Sequence, residues 1–290
     1  MQMVNRLRRG VAFVGAAALV CSPLLLAPGT ANAKPVSVSS RAATPMLTAT
    51  LTGKTIKVSG PSKLRPGRVR MSVSGKGVVE LAMFRSGYDA ADFAADVNKF
   101  GAKNDVKALK HALANTTILG GFEGGGSGTL VLPKAGSYTP FSLGDKGVVL
   151  GDPIMVKGAK RKSATPSTDG RIIAKAGLSW GGSSTLPAKG RLLFKNRGNT
   201  GVPHFIAMQQ VQEGTTTDQV LEYFQSGDQG QPSWGLPAGL ETGSISPGKS
   251  VTVNYDLPPG QYVVMCFFPD PTMGGMPHAF MGMLEMIHLT

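Results

Sequence analysis

Cysteine is scarce in this chain, with two in 290 residues, Cys21 and Cys266. A disulfide framework is therefore excluded as the source of stability. Histidine is nearly as rare, with four in all. Long apolar runs are missing beyond the first 33 residues, so no later segment reads as a membrane-spanning helix. There is no Gly-x-Ser-x-Gly elbow of a hydrolase. The glycine run GGFEGGGSG at 120–128 is followed by no Gly-Lys-Ser/Thr and opens no helix, so it reads as a flexible connector rather than a phosphate loop. Acidic residues are also in deficit, 17 against 30 basic ones.

What the chain does have begins with an export signal. Arg6, Arg8 and Arg9 precede a mostly apolar run from Val11 to Leu26, and Ala31-Asn32-Ala33 places small residues where a signal peptidase reads them. Residues 1–33 are thus expected to be removed, leaving a secreted or envelope-associated protein. Lipidation at Cys21 is the weaker variant, because Val20 stands where a small residue is usual. Arg8-Arg9 loosely suggests twin-arginine export. Taking three arginines from the 30 basic residues leaves a net charge of +10 against 17 acids. Such a surface favours anionic partners, an acidic redox protein or a cell-envelope polymer. Nucleic acid is not expected, since no interleaved aromatic-basic motif is present.

Thirty-nine glycines and 20 prolines with 41% hydrophobic residues point to many short strands joined by turns. Residues 34–44 read as a disordered lead-in. The basic Ser/Thr/Pro-rich stretch KGAKRKSATPSTDG, residues 157–170, reads as a linker spanning 158–170. It separates two segments, 45–157 and 171–290, that look like diverged copies. VVELAMFRSGYDAADFAADVNKF (78–100) and HFIAMQQVQEGTTTDQVLEYFQ (204–225) each run from an apolar strand through Ala-Met into a short helix. Thr216 with Gln219 forms a capping box for the second helix. TLVLPKAGSYTPFSLGD (129–145) and VTVNYDLPPGQYVVMCFFPD (251–270) each pair an alternating strand with a turn and a strand carrying Tyr after Gly. The expected fold is all-β, two tandem sandwiches, each with a short helical insertion.

Only the second copy holds a metal-ligand set. An exported protein with one unpaired thiol must keep it inert, use it between molecules, or give it to a metal. His204 lies in FKNRGNTGVPHFIAM near a strand start, Cys266 follows the strand GQYVVM, and His278 and Met283 lie on the next loop. Two imidazoles, a thiolate and a weak thioether make up the ligand set of a blue-copper electron-transfer centre. Each residue alone has a plainer reading, since buried cysteines are more often small hydrophobes.

These segments resemble the cupredoxins, the plastocyanin and azurin family. FKNRGNTGVPH is similar to the plastocyanin segment that delivers the first histidine, GQYVVMC keeps the Gly-x-Tyr-x-x-x-Cys register, and four residues separate His278 from Met283. The resemblance covers most of 171–290. It implies Greek-key sandwiches and a single copper ion cycling between Cu(I) and Cu(II), with His204, Cys266 and His278 in the equatorial plane and Met283 axial. Eleven residues lie between Cys266 and His278, a longer span than in the small blue-copper proteins, and Phe205 follows the first histidine. The first copy would be the same fold without metal, since it has no cysteine and its one histidine, His111, lies in the helical stretch NDVKALKHALAN.

Electron transfer without enzymatic chemistry is the expected function. Four histidines do not supply the His-x-His pairs of a multicopper oxidase, and Met265 and Phe267 flank Cys266 where a nitrite reductase has a further histidine. A copper carrier or scavenger using Met273, Met276, Met281 and Met286 is the alternative, as is a metal-free envelope-binding module with a vestigial site. His111 and His288 receive no chemical role.

Overall fold

The computed structural model describes residues 43–144, 147–227 and 230–290. The expected signal peptide, Cys21 and all but the last two residues of the lead-in lie outside them. Among the described residues no helix is long and apolar enough to cross a membrane. The described residues are mostly β-strand, with three α-helices among them.

Each half contributes a smaller sheet. In the first half, Thr116–Glu123, Val78–Phe84, Gly136–Gly144 and Gly147–Leu150 lie side by side, with Ile154–Val156 pairing on Gly136–Gly144. In the second, the order is Thr185–Leu186, Leu284–Leu289, Gly260–Met265, Ala207–Val211 and Gly235–Glu241. The other layer is common to both halves. An eight-stranded sheet runs Ser179–Gly182, Gly170–Lys175, Lys189–Asn196, Ser250–Asp256, Ser127–Leu132, Gly67–Gly75, Met46–Thr52 and Thr55–Ser59. Its seam is the antiparallel pairing of Thr252 with Thr129, Val253 with Gly128 and Asn254 with Ser127. Val251, Val253 and Tyr255 face inward, as their alternation predicts, into an apolar core that is continuous through both halves.

The glycine run overturns its expected reading. Thr116–Glu123 and Ser127–Leu132 are strands, and only Gly124–Gly126 turn between them. Gly128 sits at the seam, where a Cβ would lie 1.9 Å from the Thr252 carbonyl oxygen and 2.5 Å from the Phe122 ring. Glycine is there because another backbone passes too close for a side chain. The segment 158–170 runs along the strand Gly67–Gly75. The Arg161 amide donates to the Pro66 carbonyl (2.9 Å), its guanidinium to the Arg68 carbonyl (2.7 Å), and the Arg68 guanidinium to Thr165 Oγ1 (2.9 Å).

The helices follow their sequence signals. Helix α1 (Ala90–Lys103) is capped by Asp89, which accepts from the amides of Ala91 and Asp92, and it buries Phe93, Val97 and Phe100. Helix α2 (Val106–Asn115) starts at the Asp105 cap. Helix α3 (Thr217–Ser226) carries the Thr216–Gln219 capping box and buries Val220 and Phe224. The first insertion is therefore two helices, the second falling on the stretch NDVKALKHALAN that reads as helical in the sequence. The kinship of the halves extends to side chains. Tyr138 and Tyr262, both fully buried, donate their hydroxyls to the carbonyl four residues back, at Lys134 (2.5 Å) and Pro258 (2.8 Å).

Candidate metal centre

Three elements meet at one pole of the second half. His204 precedes the strand Ala207–Val211, held by a backbone exchange with Ile245 (2.8 and 3.2 Å). Behind it Asn196, fully buried, donates its amide to the carbonyls of Val202 (2.9 Å) and Ile245 (3.0 Å) and accepts from Thr200 Oγ1 (2.5 Å). Asn196 thereby ties the turn before His204 to the Ile245 segment that pairs with it. Cys266 comes directly after the strand Gly260–Met265.

The long span to His278 is ordered by a miniature hairpin, Pro269–Asp270 paired with Met276–Pro277. The His278 amide then donates to the Phe268 carbonyl (3.1 Å) and the Ala279 amide to the Cys266 carbonyl (2.7 Å), which returns the chain to the thiol. A 3-10 turn, His278–Met281, follows, and the Met283 amide donates to the His278 carbonyl (3.0 Å). Trp180 Nε1 fixes the same residue by donating to the Met283 carbonyl (3.2 Å).

Cys266, His204, His278 and Met283 are all fully buried. Cys266 Sγ lies 3.5 Å from His204 Nδ1 and 3.4 Å from His278 Nδ1, and the two imidazole centroids are 4.7 Å apart. The three donor atoms lie within 4.8 Å of one another. In a four-coordinate site, thiolate sulfur at about 2.3 Å and imidazole nitrogen at about 2.0 Å, the zinc values, sit about 3.5 Å apart. The observed N–S spacings match that requirement. One thiol proton could serve only one of the two facing nitrogens, whereas a cation would engage both lone pairs and the sulfur together.

The electrostatics agree. Burial pushes the Cys266 thiol up to about 12, although the Phe205 and Phe268 amides donate toward the sulfur and oppose the shift. Burial also drives His204 down to about 3 and His278 down to about 4. Both imidazoles are thus neutral at pH 7, and Cys266 is held as a thiol that only a bound cation would convert to thiolate. A cation held by both Nδ1 atoms would put the ring protons on Nε2, and neither Nε2 has a hydrogen-bond partner. That of His278 faces Asp270 Oδ2 at 3.7 Å. Despite burial, the hydroxyl and amide of Thr272, at 2.6 and 2.7 Å, hold the Asp270 carboxyl below its ordinary range.

Asp270 carries no spacing signal in the sequence, and Phe205, there simply the residue after the first histidine, acts through its amide, which no side chain announces. The other residues fall apart from the centre. Met273 and Met276 are exposed, 55% and 45%, on the hairpin, while Met281 and Met286 are half-buried. His111 lies on an exposed helix face against Asp96 (2.7 Å), and His288 on the surface against Glu213 (3.2 Å).

No family model matches the chain, and no relative among curated proteins matches it. Among solved structures it is similar to auracyanin B, with 24% identity over 44% of this chain and 93% of that one at a TM-score of 0.29. It is also similar to the reduced auracyanin of the photosynthetic bacterium Roseiflexus castenholzii, with 25% identity, 41% and 94% coverage and a TM-score of 0.25. A multicopper oxidase overlaps at 12% identity, with 84% of this chain and 88% of that one covered and a TM-score of 0.22. Its structural neighbours are thus auracyanins and multicopper oxidases. At such low TM-scores the donor atoms themselves carry the functional argument. The His-Cys-His-Met set fits a type 1 copper site, and the His/Cys/His group supports a single copper ion.

Proposed function

We propose that this chain is an exported blue-copper electron-transfer protein, with His204 Nδ1, Cys266 Sγ and His278 Nδ1 as its principal ligands and Met283 as the weak fourth. The observation that carries this reading is the approach of both Nδ1 atoms to one buried sulfur, at 3.5 and 3.4 Å. Bound copper supplies a one-electron couple between Cu(I) and Cu(II). The protein keeps the donors buried and fixed, so that little rearranges when the charge at the centre changes. Asn196, the hairpin and Trp180 supply that rigidity. Residues 171–290 carry the site, and residues 45–157 form a metal-free companion. A net charge of +10 without residues 1–33 favours an acidic redox partner. No bond-making on a substrate is part of the reading.

Purified protein titrated with Cu(II) should take up one ion and turn intensely blue, and Cys266→Ala should lose the colour. A protein that binds no copper stoichiometrically would refute the proposal. The exposure of Met273 and Met276 favours one second reading, a carrier. Colourless Cu(I) uptake abolished by replacing both methionines would select it.

A further inference from the structure

The first half holds no ligand of the candidate centre, yet it touches both segments that deliver the histidines. One contact is a strap, residues 242–246. Its outer edge lies on the first half. The Ser246 amide donates to the Ile118 carbonyl (2.9 Å), the Ile118 amide to Ser246 Oγ (2.9 Å), the Gly243 amide to the Gly121 carbonyl (2.9 Å), and the Ser244 amide to Glu80 Oε2 (3.1 Å). Its inner edge lies on the His204 segment. There His204 and Ile245 exchange backbone bonds, Ile206 donates to Thr242 Oγ1 (3.0 Å), and Thr242 donates to the Ile206 carbonyl (2.9 Å). His204 therefore rests on five residues that rest in turn on the first half.

The other contact is at the tip of the ligand hairpin. Asn104, in the left-handed conformation at the end of α1 (φ 51°), donates Nδ2 to the Gly274 carbonyl at 3.2 Å. At Gly275 (φ 85°) a Cβ would lie 2.9 Å from both Asn104 Oδ1 and the Phe100 ring, so the tip is seated directly on the helix end. From this seat the Gly275 amide donates to the Asp270 carbonyl (2.7 Å), and the chain returns to place His278. Eleven residues between Cys266 and His278 would otherwise bear the entropy of ordering that loop on their own.

We propose that the metal-free half is a two-jawed clamp that holds the His204 and His278 arms against Cys266, with Asn104 as the positioning residue of the second jaw. Its benefit to copper rests on the function proposed above, while its effect on the loop does not need the metal. This gives the first half a task although it holds no donor of the candidate centre.

The test is Asn104→Gly in the full chain. Glycine keeps the left-handed helix end and removes the amide that reaches Gly274. In the copper-free protein the amides of Gly275 and His278 should exchange with solvent about 3- to 10-fold faster, the range one lost hydrogen bond allows, while that of Leu109 in α2 stays unchanged. Asn104→Asp, which keeps the size but cannot donate, should behave alike. With copper bound, release to a chelator should quicken by a similar factor while the colour from Cys266 persists. Unchanged exchange at Gly275 and His278, acceleration spread equally over the first half, or copper release at the parental rate would each overturn the clamp. If the parent takes up no copper, the copper reading falls and the exchange result alone decides the clamp.

Discussion

Glu123→Gln should make the protein more stable at pH 8 and leave it almost unchanged near pH 4.5. Glu123 lies at the junction of the halves, where its Oε1 accepts from the Glu241 amide at 3.2 Å. Burial pushes its carboxyl from 4.5 up to about 7, and the Glu241 charge adds to the rise while the Glu241 amide opposes it. A carboxyl that binds its proton more tightly in the folded state adds most to stability below pH 4.5. That contribution is lost as the pH climbs toward 7, and the penalty is constant above it. The full shift corresponds to about 3 kcal/mol, as an upper bound. Glutamine keeps an acceptor for the Glu241 amide and removes the titration. Urea unfolding of the copper-free parent and variant at pH 4.5, 6 and 8 measures the difference, which should grow from near zero to about 1–3 kcal/mol. A constant offset across the three values, or a variant weaker at pH 8, would refute the assignment of the burial cost to this carboxylate.

Other perturbations have equally defined outcomes. Gly128→Ala drives a methyl group into the Thr252 carbonyl at the seam between the halves, and thermal melting should show a loss of at least about 3 kcal/mol or failure to fold. Asn196→Ala removes two donated bonds behind His204 and leaves buried carbonyls without them. Its unfolding free energy should fall by about 2–4 kcal/mol, and chelator competition should show weaker copper binding. Thr216→Ala deletes the α3 cap and should cost about 1 kcal/mol by urea unfolding with the copper colour intact.

Much of the local structure was legible because its causes are local. Thr216 announces a helix start through its bond to the amide three residues on. Alternation at Val251, Val253 and Tyr255 announces a strand with one buried face. The residue types at His204, Cys266 and His278 announced a donor group, and the fold brings those three donor atoms within 4.8 Å of one another. The glycine run misled for the opposite reason. Flexibility is a property of glycine alone, whereas its use at Gly128 depends on a backbone more than 120 residues away. Asp270 was invisible because a carboxylate 3.7 Å from His278 Nε2 depends on the curl of a hairpin and not on any spacing.

The sequence by itself determined the all-β character, the two related halves and the residue types able to hold copper, because these follow from periodicity, turn chemistry and donor chemistry. Only the tertiary structure decided that the halves share an eight-stranded sheet, since pairing Thr252 with Thr129 joins strands whose patterns are compatible with many neighbours. It likewise decided that the long ligand loop returns to Cys266. The tip of that loop rests on Asn104 and Phe100, which belong to the other half of the chain.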